Sequence, residues 1–203
     1  MKKYLSILCL FLFMGMITLP AHAVDTPYYL SGNIGASLFN NITLNSQATQ
    51  IQLGTVQTNA SYAVEGAFGR DFDGFRVEVE GGLQQNKSSQ IGAINVASVL
   101  LNGYYDFNDP DELSPYLTAG IGYAGVTASS GIGYAGNPAS SYVSSSVLGY
   151  QVGAGVLIPI TEIAAIDARY RYFGTGTCRF TDNTADFKLS GSSFLLGLKF
   201  RIR

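Results

Sequence analysis

The sequence predicts an all-β fold, an eight-stranded antiparallel up-and-down barrel. Eight segments alternate apolar or small residues with polar ones, and the connections between them alternate between short turns and longer loops. The composition agrees with this fold. The 203 residues include 24 Gly, 13 Tyr and 12 Phe, and only 13% are charged, against a usual share of ~25%.

The strands follow from a period of two, because successive side chains of a strand point to opposite faces. In the third segment, Phe75, Val77 and Val79 alternate with Arg76 and Glu78. The predicted strands are, in chain order, 28–38, 62–68, 75–84, 98–107, 117–123, 148–158, 166–172 and 193–203. Because their number is even, both ends of the barrel domain are expected at the same end of the barrel.

The connections give a second, independent indication of a meander. Short turns that carry Gly, Pro, Asn or Asp are predicted at 71–74, 108–114 and 159–163. Mostly longer connections, rich in Ser, Thr, Asn, Gly and Gln, are predicted near 40–59, 85–92, 127–146 and 174–190. Short turns at one end and longer loops at the other are typical of an up-and-down barrel.

The N-terminal residues have the pattern of a secretory signal peptide. Lys2 and Lys3 form the positive segment, 5–19 form the apolar segment, and a small-x-small motif ends at Ala23, which predicts cleavage before Val24. An uncleaved anchor helix would need about 20 apolar residues, more than this run supplies. The expected division is a signal peptide over 1–23 and a barrel over 24–203.

Each predicted strand has an apolar face and a polar face, and several polar faces carry charges. A soluble lipocalin-like barrel points its apolar face inward, and a membrane barrel reverses this arrangement. Strands of about ten residues, aromatic residues near strand ends and mixed charge signs on the polar face favour the membrane. We therefore expect the glutamates of the second and third strands to be compensated by arginines inside the barrel. The expected interior charge network consists of Glu65, Arg76, Glu78, Glu80, Asp167, Arg169, Arg171, Lys199 and Arg201.

Two adjoining segments carry a family resemblance. Asn102-Gly-Tyr-Tyr-Asp-Phe107 and Pro115-Tyr-Leu-Thr-Ala-Gly-Ile-Gly-Tyr123 resemble the junction of the fourth and fifth strands in the small outer-membrane β-barrel surface-antigen family, akin to opacity-type proteins and the OmpA transmembrane domain. Further segments similar to this family are 151–156, 169–173 and 194–200.

The resemblance implies a location in the bacterial outer membrane, with outer-membrane lipid around the barrel. It also implies a partner, the outer-membrane insertion machinery, which reads a terminal aromatic residue in such barrels. This chain departs from that pattern, because it ends Phe200-Arg-Ile-Arg203.

Neither catalysis nor a cofactor is expected. Outer-membrane barrels of this size that act as enzymes resemble one another in needing a histidine base, and removal of 1–23 leaves no histidine. It also leaves one cysteine, Cys178, which is most simply a passive loop residue, with an intermolecular disulfide as the alternative. The loop carboxylates Asp182 and Asp186 are too few for a dedicated metal site.

These observations favour a non-catalytic surface protein that presents polar loops for interaction, as an adhesin or surface antigen does. The expected ligand is a host or environmental molecule, and the barrel is expected to be a monomer. The net charge of -2 argues against a nucleic-acid partner. The alternatives are a narrow or gated pore, in which eight strands enclose little more than their own side chains, and a soluble lipocalin-like binder with the faces inverted.

Overall fold

The computed structural model describes residues 28–40, 42–46, 52–56, 59–88, 92–109, 112–129, 142–179 and 185–202. The predicted signal peptide and its cleavage point between Ala23 and Val24 lie outside these residues. Within the described ranges, no helix is long and apolar enough to cross a membrane.

The described residues form twelve strands. Their bounds are β1 (Tyr28–Phe39), β2 (Ile42–Ser46), β3 (Gln52–Val56), β4 (Ser61–Asp71), β5 (Phe75–Ser88), β6 (Gly92–Asp106), β7 (Ser114–Ser129), β8 (Tyr142–Thr161), β9 (Ala164–Thr175), β10 (Cys178–Arg179), β11 (Ala185–Phe187) and β12 (Ser190–Ile202).

Eight of these strands close into an antiparallel barrel in the order β1–β12–β9–β8–β7–β6–β5–β4, with β4 paired to β1. The first and last strands complete the circle, with Tyr28 opposite Ile202 and Phe39 opposite Gly191. The eight barrel strands contain the eight segments predicted from the period of two, apart from residues at a few segment ends. The predicted fold class is therefore confirmed.

Side chains that point away from the barrel axis form a broad apolar surface. Ile34 is 62% exposed, Leu83 63% and Tyr123 66%, whereas most charged residues of the barrel strands are buried inside. Aromatic rings lie near the strand ends, where Tyr28 stacks on Phe68 with 5.6 Å between centroids. An apolar surface of this extent requires hydrocarbon around it, so the soluble lipocalin-like alternative is wrong.

The short turns lie at one end of the barrel, which we call the short-turn end. Between β4 and β5, Asp73 and Gly74 both have positive φ, 62° and 87°, the conformation that a two-residue hairpin turn of type I′ requires. Asp71 Oδ1 accepts a hydrogen bond from the Asp73 N–H at 3.2 Å. The Asp-Gly pair therefore fixes this hairpin.

The opposite end, which we call the long-loop end, contains more strand than the sequence indicated. β5 and β6 remain paired up to Ser88 opposite Gly92, so three residues connect them in place of the loop predicted over 85–92. Likewise β7 and β8 pair up to Ser129 opposite Tyr142. A strand that continues beyond the apolar surface can be polar on both faces and still keep its ladder, which the search for alternation did not detect.

The connections predicted as loops over 40–59 and 174–190 pair with each other. They form a four-stranded sheet in the order β10–β11–β2–β3, here called the accessory sheet. In it Ile42 lies opposite Val56, Cys178 opposite Phe187 and Asp186 opposite Asn45. The prediction of irregular loops is therefore wrong here. The β2–β11 pairing joins segments more than 130 residues apart, and all four strands have five residues or fewer, so the sequence shows no clear local signal.

The lipid-facing assignment predicts a large, position-dependent cost of charge. Val152→Arg should destabilise the barrel by about 2–4 kcal/mol, because Val152 is exposed in the middle of the apolar surface of β8. Ser146→Arg is the matched control, since Ser146 is exposed on the same face of β8 beyond that surface. Unfolding titrations in lipid vesicles measure both, and equal stabilities would mean that the faces are assigned backwards.

Candidate functional site

The barrel interior is filled by three layers of side chains. An aromatic and ionic layer lies at the short-turn end, an arginine–glutamate layer in the middle, and a cluster of apolar side chains at the long-loop end. Most of the predicted charge network lies in the first two layers.

The middle layer joins two arginines of β9 to two glutamates across the barrel. Arg169 Nη1 lies 3.3 Å from Glu80 Oε2 and 3.5 Å from Glu65 Oε2. Arg171 Nη1 lies 3.2 Å from Glu80 Oε1 and is also paired with Glu65. All four side chains are almost fully buried, so each arginine bridges the same two carboxylates and keeps them from repelling one another.

Two amides complete this layer. Gln151 Nε2 donates to Asn102 Oδ1 at 2.6 Å, and Asn102 Nδ2 donates to Glu80 Oε2 at 2.9 Å. Arg171 Nη1 donates to Gln151 Oε1 at 3.3 Å, which closes a ring of hydrogen bonds. Buried polar groups in such a ring are satisfied together, and loss of one member exposes the others to a desolvation penalty.

At the short-turn end, Arg76 does not compensate the glutamates of β5 as the sequence analysis expected. It forms a two-point ion pair with Asp106, at 2.6 Å and 2.8 Å, because Asp106 ends the neighbouring strand beside it. Glu78 instead accepts hydrogen bonds from Tyr29 at 3.0 Å, from Asn102 at 3.2 Å and from Tyr104. Two phenol hydroxyls and an amide therefore donate to the Glu78 carboxylate, where the sequence analysis expected an arginine.

The remaining predicted charges fall into separate places. Asp167 belongs to the middle layer, with Oδ2 2.8 Å from Arg169 Nη2. Lys199 Nζ is buried 3.4 Å from Asp71 Oδ2 and 4.4 Å from the centroid of the Tyr29 ring. Arg201 lies at the rim of the short-turn end and donates to the backbone carbonyl of Glu162 at 3.3 Å. The expectation that Arg201 compensates the interior glutamates is not supported by this position.

A small cavity opens beside these rim residues. Its volume is about 20 Å³, and its lining includes Asp71, Asp106, Lys199 and Arg201. This volume is enough for about one water molecule. The polar interior is thus accessible, to a very limited extent, from the short-turn end.

The long-loop end is closed by the apolar plug, a buried cluster that sequence reasoning missed. Its members are Phe39, Ile94, Val96, Leu100, Ala124, Val126, Phe173, Cys178, Phe187 and Leu189. The sequence of β6 contained a signal for this plug. Ile94, Val96 and Leu100 lie on the same face of the strand as Asn102, which points inward, and on the opposite face from Leu101, which points to lipid. A change of inward residues from polar to apolar along one strand marks the base of this plug.

Cys178 is part of the plug and wholly buried, so it lies in a strand and not in a loop, while its description as passive agrees with this burial. Burial raises the pKa of the Cys178 thiol, although a hydrogen bond with Thr175 opposes this effect. A protonated, buried thiol is a poor nucleophile and cannot reach a second chain. Its position also argues against the intermolecular disulfide.

The acidic side chains of the described barrel interior belong to the ion-pair and hydrogen-bond network. Within the described ranges, no three His, Cys, Asp or Glu side chains are grouped in a way that could hold a metal ion. The interior carboxylates are engaged by arginines, phenols and amides of the barrel interior.

Comparison with known proteins agrees with this architecture. A family model described as outer membrane protein beta-barrel domain matches residues 9–201. The chain belongs to this family. The predicted resemblance and the predicted location are both confirmed, and the protein resides in the bacterial outer membrane.

Individual relatives are distant but extend over most of the barrel. Outer membrane protein PagN of Salmonella typhimurium is 24% identical, over 85% of this chain and 88% of PagN. The crystal structure of Neisserial surface protein A is 20% identical with a TM-score of 0.58, covering 86% of this chain and 97% of that one. OprG from Pseudomonas aeruginosa is 11% identical with a TM-score of 0.57, covering 88% and 96%. These two structures share the fold of this chain.

Proposed function

We propose that this protein is a non-catalytic surface protein whose long-loop end faces the medium and binds a host or environmental ligand. The observation that carries the proposal is the combination of a filled interior with a wall that continues beyond the apolar surface. A filled barrel transports little, and a rigid wall above the lipid holds residues where a partner can reach them.

The projecting wall is substantial. The apolar surface of β7 and β8 ends at Tyr123 opposite Leu148, and the ladder continues to Ser129 opposite Tyr142. Six further residues add about 20 Å along the strand. Exposed side chains at this level of the wall include Asn95 of β6 and Ser146 of β8, which are polar and suit water more than hydrocarbon.

The apolar plug ties the accessory sheet to this wall. Cys178, Phe187 and Leu189 pack with Phe173 and Val126 of the barrel, and the Ser145 hydroxyl donates to the Arg179 carbonyl at 2.9 Å. The accessory sheet is therefore attached to the barrel through its β10–β11 half. A preformed surface of this kind loses less entropy on binding than a free loop.

The orientation predicts which insertions are accessible. Epitope tags at Ser130 and Asn183, in the connections of the long-loop end, should bind antibody on intact cells. A tag at Asp73, in the Asp-Gly turn, should bind only after the outer membrane is permeabilised, because that turn is too short to reach beyond the headgroups. Exposure of the Asp73 tag alone on intact cells would mean the opposite insertion and would remove the basis of the proposal.

The binding function is tested by trimming the tips while keeping the plug. In one variant, 47–51 and 130–141 are replaced by two-residue turns, so that every residue of the apolar plug remains. Vesicles carrying the wild-type or the trimmed barrel are passed over immobilised glycans and matrix polypeptides. We expect a ligand that the wild type captures and the trimmed barrel does not, with both showing the same heat-dependent gel migration. Equal capture by both would overturn the proposal.

A further inference from the structure

The accessory sheet continues one half of the barrel wall. β10 follows β9, β11 precedes β12, β2 follows β1 and β3 precedes β4, with two to four residues between each pair. The order β10–β11–β2–β3 therefore repeats the order β9–β12–β1–β4 of the barrel strands below it. The long strands β5 to β8 form the other half of the wall.

The accessory sheet is anchored at one edge and ends at the other. β10 is held beside β8, where the Ser145 hydroxyl donates to the Arg179 carbonyl and accepts from the Arg179 N–H at 3.3 Å. β3 is the opposite edge strand, and in the ladders formed by the described residues it pairs with β2 alone. Its outer row of backbone N–H and C=O groups is thus available for another strand.

The sequence around this edge lacks the usual protection. Edge strands of natural proteins commonly carry lysine, proline or inward charges that prevent pairing with another chain. The segment 40–60 contains no charged residue and no proline. The segment 176–189 of the same sheet contains Arg179, Asp182, Asp186 and Lys188. The charges therefore lie in the anchored half of the sheet, and the uncharged half carries the open edge.

The β3 ladder is regular enough to serve as a template. Ile42 opposite Val56, Thr43 opposite Thr55 and Leu44 opposite Gly54 are continuous, and a register shift follows at Asn45. Gly54 lies in this regular part, opposite Leu44 of β2, so its backbone is extended. Backbone at Gly54 can therefore accept another residue in an extended conformation.

We propose that β3 pairs edge to edge and antiparallel with β3 of a second copy of this chain. The inference rests on the proposed function, since it takes the long-loop end as the interacting surface. A two-fold axis near Gly54 would place β3 of one copy opposite β3 of the other, so that two edges of equal length are paired. Because β3 contains no charged residue, the pairing carries no like-charge repulsion. Each pair forms only a few backbone hydrogen bonds, but their contributions add up when many copies pair at once.

Disulfide trapping tests the geometry. Gly54→Cys should give a disulfide-linked dimer under mild oxidation between adhering vesicles or clumped cells, because residues directly opposite in antiparallel strands have Cβ atoms about 4.5–5.5 Å apart. Asn45→Cys is the matched control on β2, because Asn45 is paired with Gln52 of β3 on one side and with Asp186 of β11 on the other. Cys178 is buried and stays in place in both variants. Equal dimer yields for the two variants would indicate random collision and would overturn the proposal.

Charge exchange tests the association itself. Cells that produce Gly54→Lys, or Gly54→Glu, should clump about tenfold less than wild-type cells, and a mixture of the two should clump like the wild type. Heat-dependent gel migration checks that each variant is folded. Unchanged clumping of both single variants, or a mixture no better than either, would overturn the proposal. If wild-type copies fail to associate while the glycan and polypeptide panel still captures them, self-pairing is wrong and the proposed function stands.

Discussion

Replacing Arg169 by methionine is expected to destabilise the barrel by about 3–5 kcal/mol. The Arg169 guanidinium lies within 3.5 Å of Glu65, Glu80 and Asp167, and its Nε donates to the Tyr116 hydroxyl at 3.0 Å. Methionine preserves much of the side-chain volume but leaves buried carboxylates with one arginine fewer. The loss of free energy then comes from uncompensated charge and not from a cavity.

The control for this experiment is Arg179→Met, which makes the same chemical change at an exposed position of β10. Its cost should stay within about 0.5 kcal/mol. Urea titrations in lipid vesicles give the free energy of unfolding for both variants. Equal stabilities would show that water solvates the middle layer, which is the property of a wet channel.

Replacing Phe173 by alanine is expected to cost about 3–5 kcal/mol as well, through a different mechanism. Phe173 is buried at the base of the apolar plug, and its ring centroid lies 5.5 Å from the Arg171 guanidinium. Removal of the ring leaves a cavity between the plug and the middle layer. The same titration measures the effect.

Phe194→Ala provides the comparison, since Phe194 is 61% exposed on the lipid-facing side of the neighbouring strand β12. Lipid can fill the space left there, and the remaining loss is the ring contact with Tyr170, so the cost should be about 1 kcal/mol. If Phe173→Ala were no more costly than Phe194→Ala, the plug would not be a packed core.

The sequence predicted the barrel strands because lipid imposes one rule on all of them. Every outward side chain between the headgroups meets hydrocarbon, so the alternation at Val77, Val79 and Leu83 needs no knowledge of the partner strand. The interior obeys no such rule. Whether Arg76 meets Glu78 or Asp106 depends on where neighbouring strands end, and that is a matter of register between distant segments.

The accessory sheet illustrates the same limit. β2 and β11 lie next to each other although Asn45 and Asp186 are far apart in the chain, and each strand has five residues or fewer. Short polar segments of this kind resemble loops in any local window. Cys178 was placed in a loop for a similar reason, because β10 has only two residues and the burial of Cys178 comes from packing in the apolar plug.

The plug also changes how the surface should be altered in experiments. Deleting the whole of 127–146 and 174–190 would remove Cys178, Phe187 and Leu189 from the plug together with the surface they support. A loss of binding in such a variant would then reflect a damaged barrel. Trimming only the tips, or changing Gly54 alone, keeps the interior intact and isolates the surface.

Single-channel recording in planar bilayers tests most directly whether this barrel is a closed scaffold for its surface. With the middle layer and the apolar plug in place, the wild-type protein is expected to insert without producing unitary current steps, because no continuous water column passes the packed side chains. The double variant Arg169→Met, Phe173→Ala serves as the positive control, in which leak currents should appear. Stable, reproducible current steps from the wild-type barrel would contradict a closed interior and would make the protein a pore.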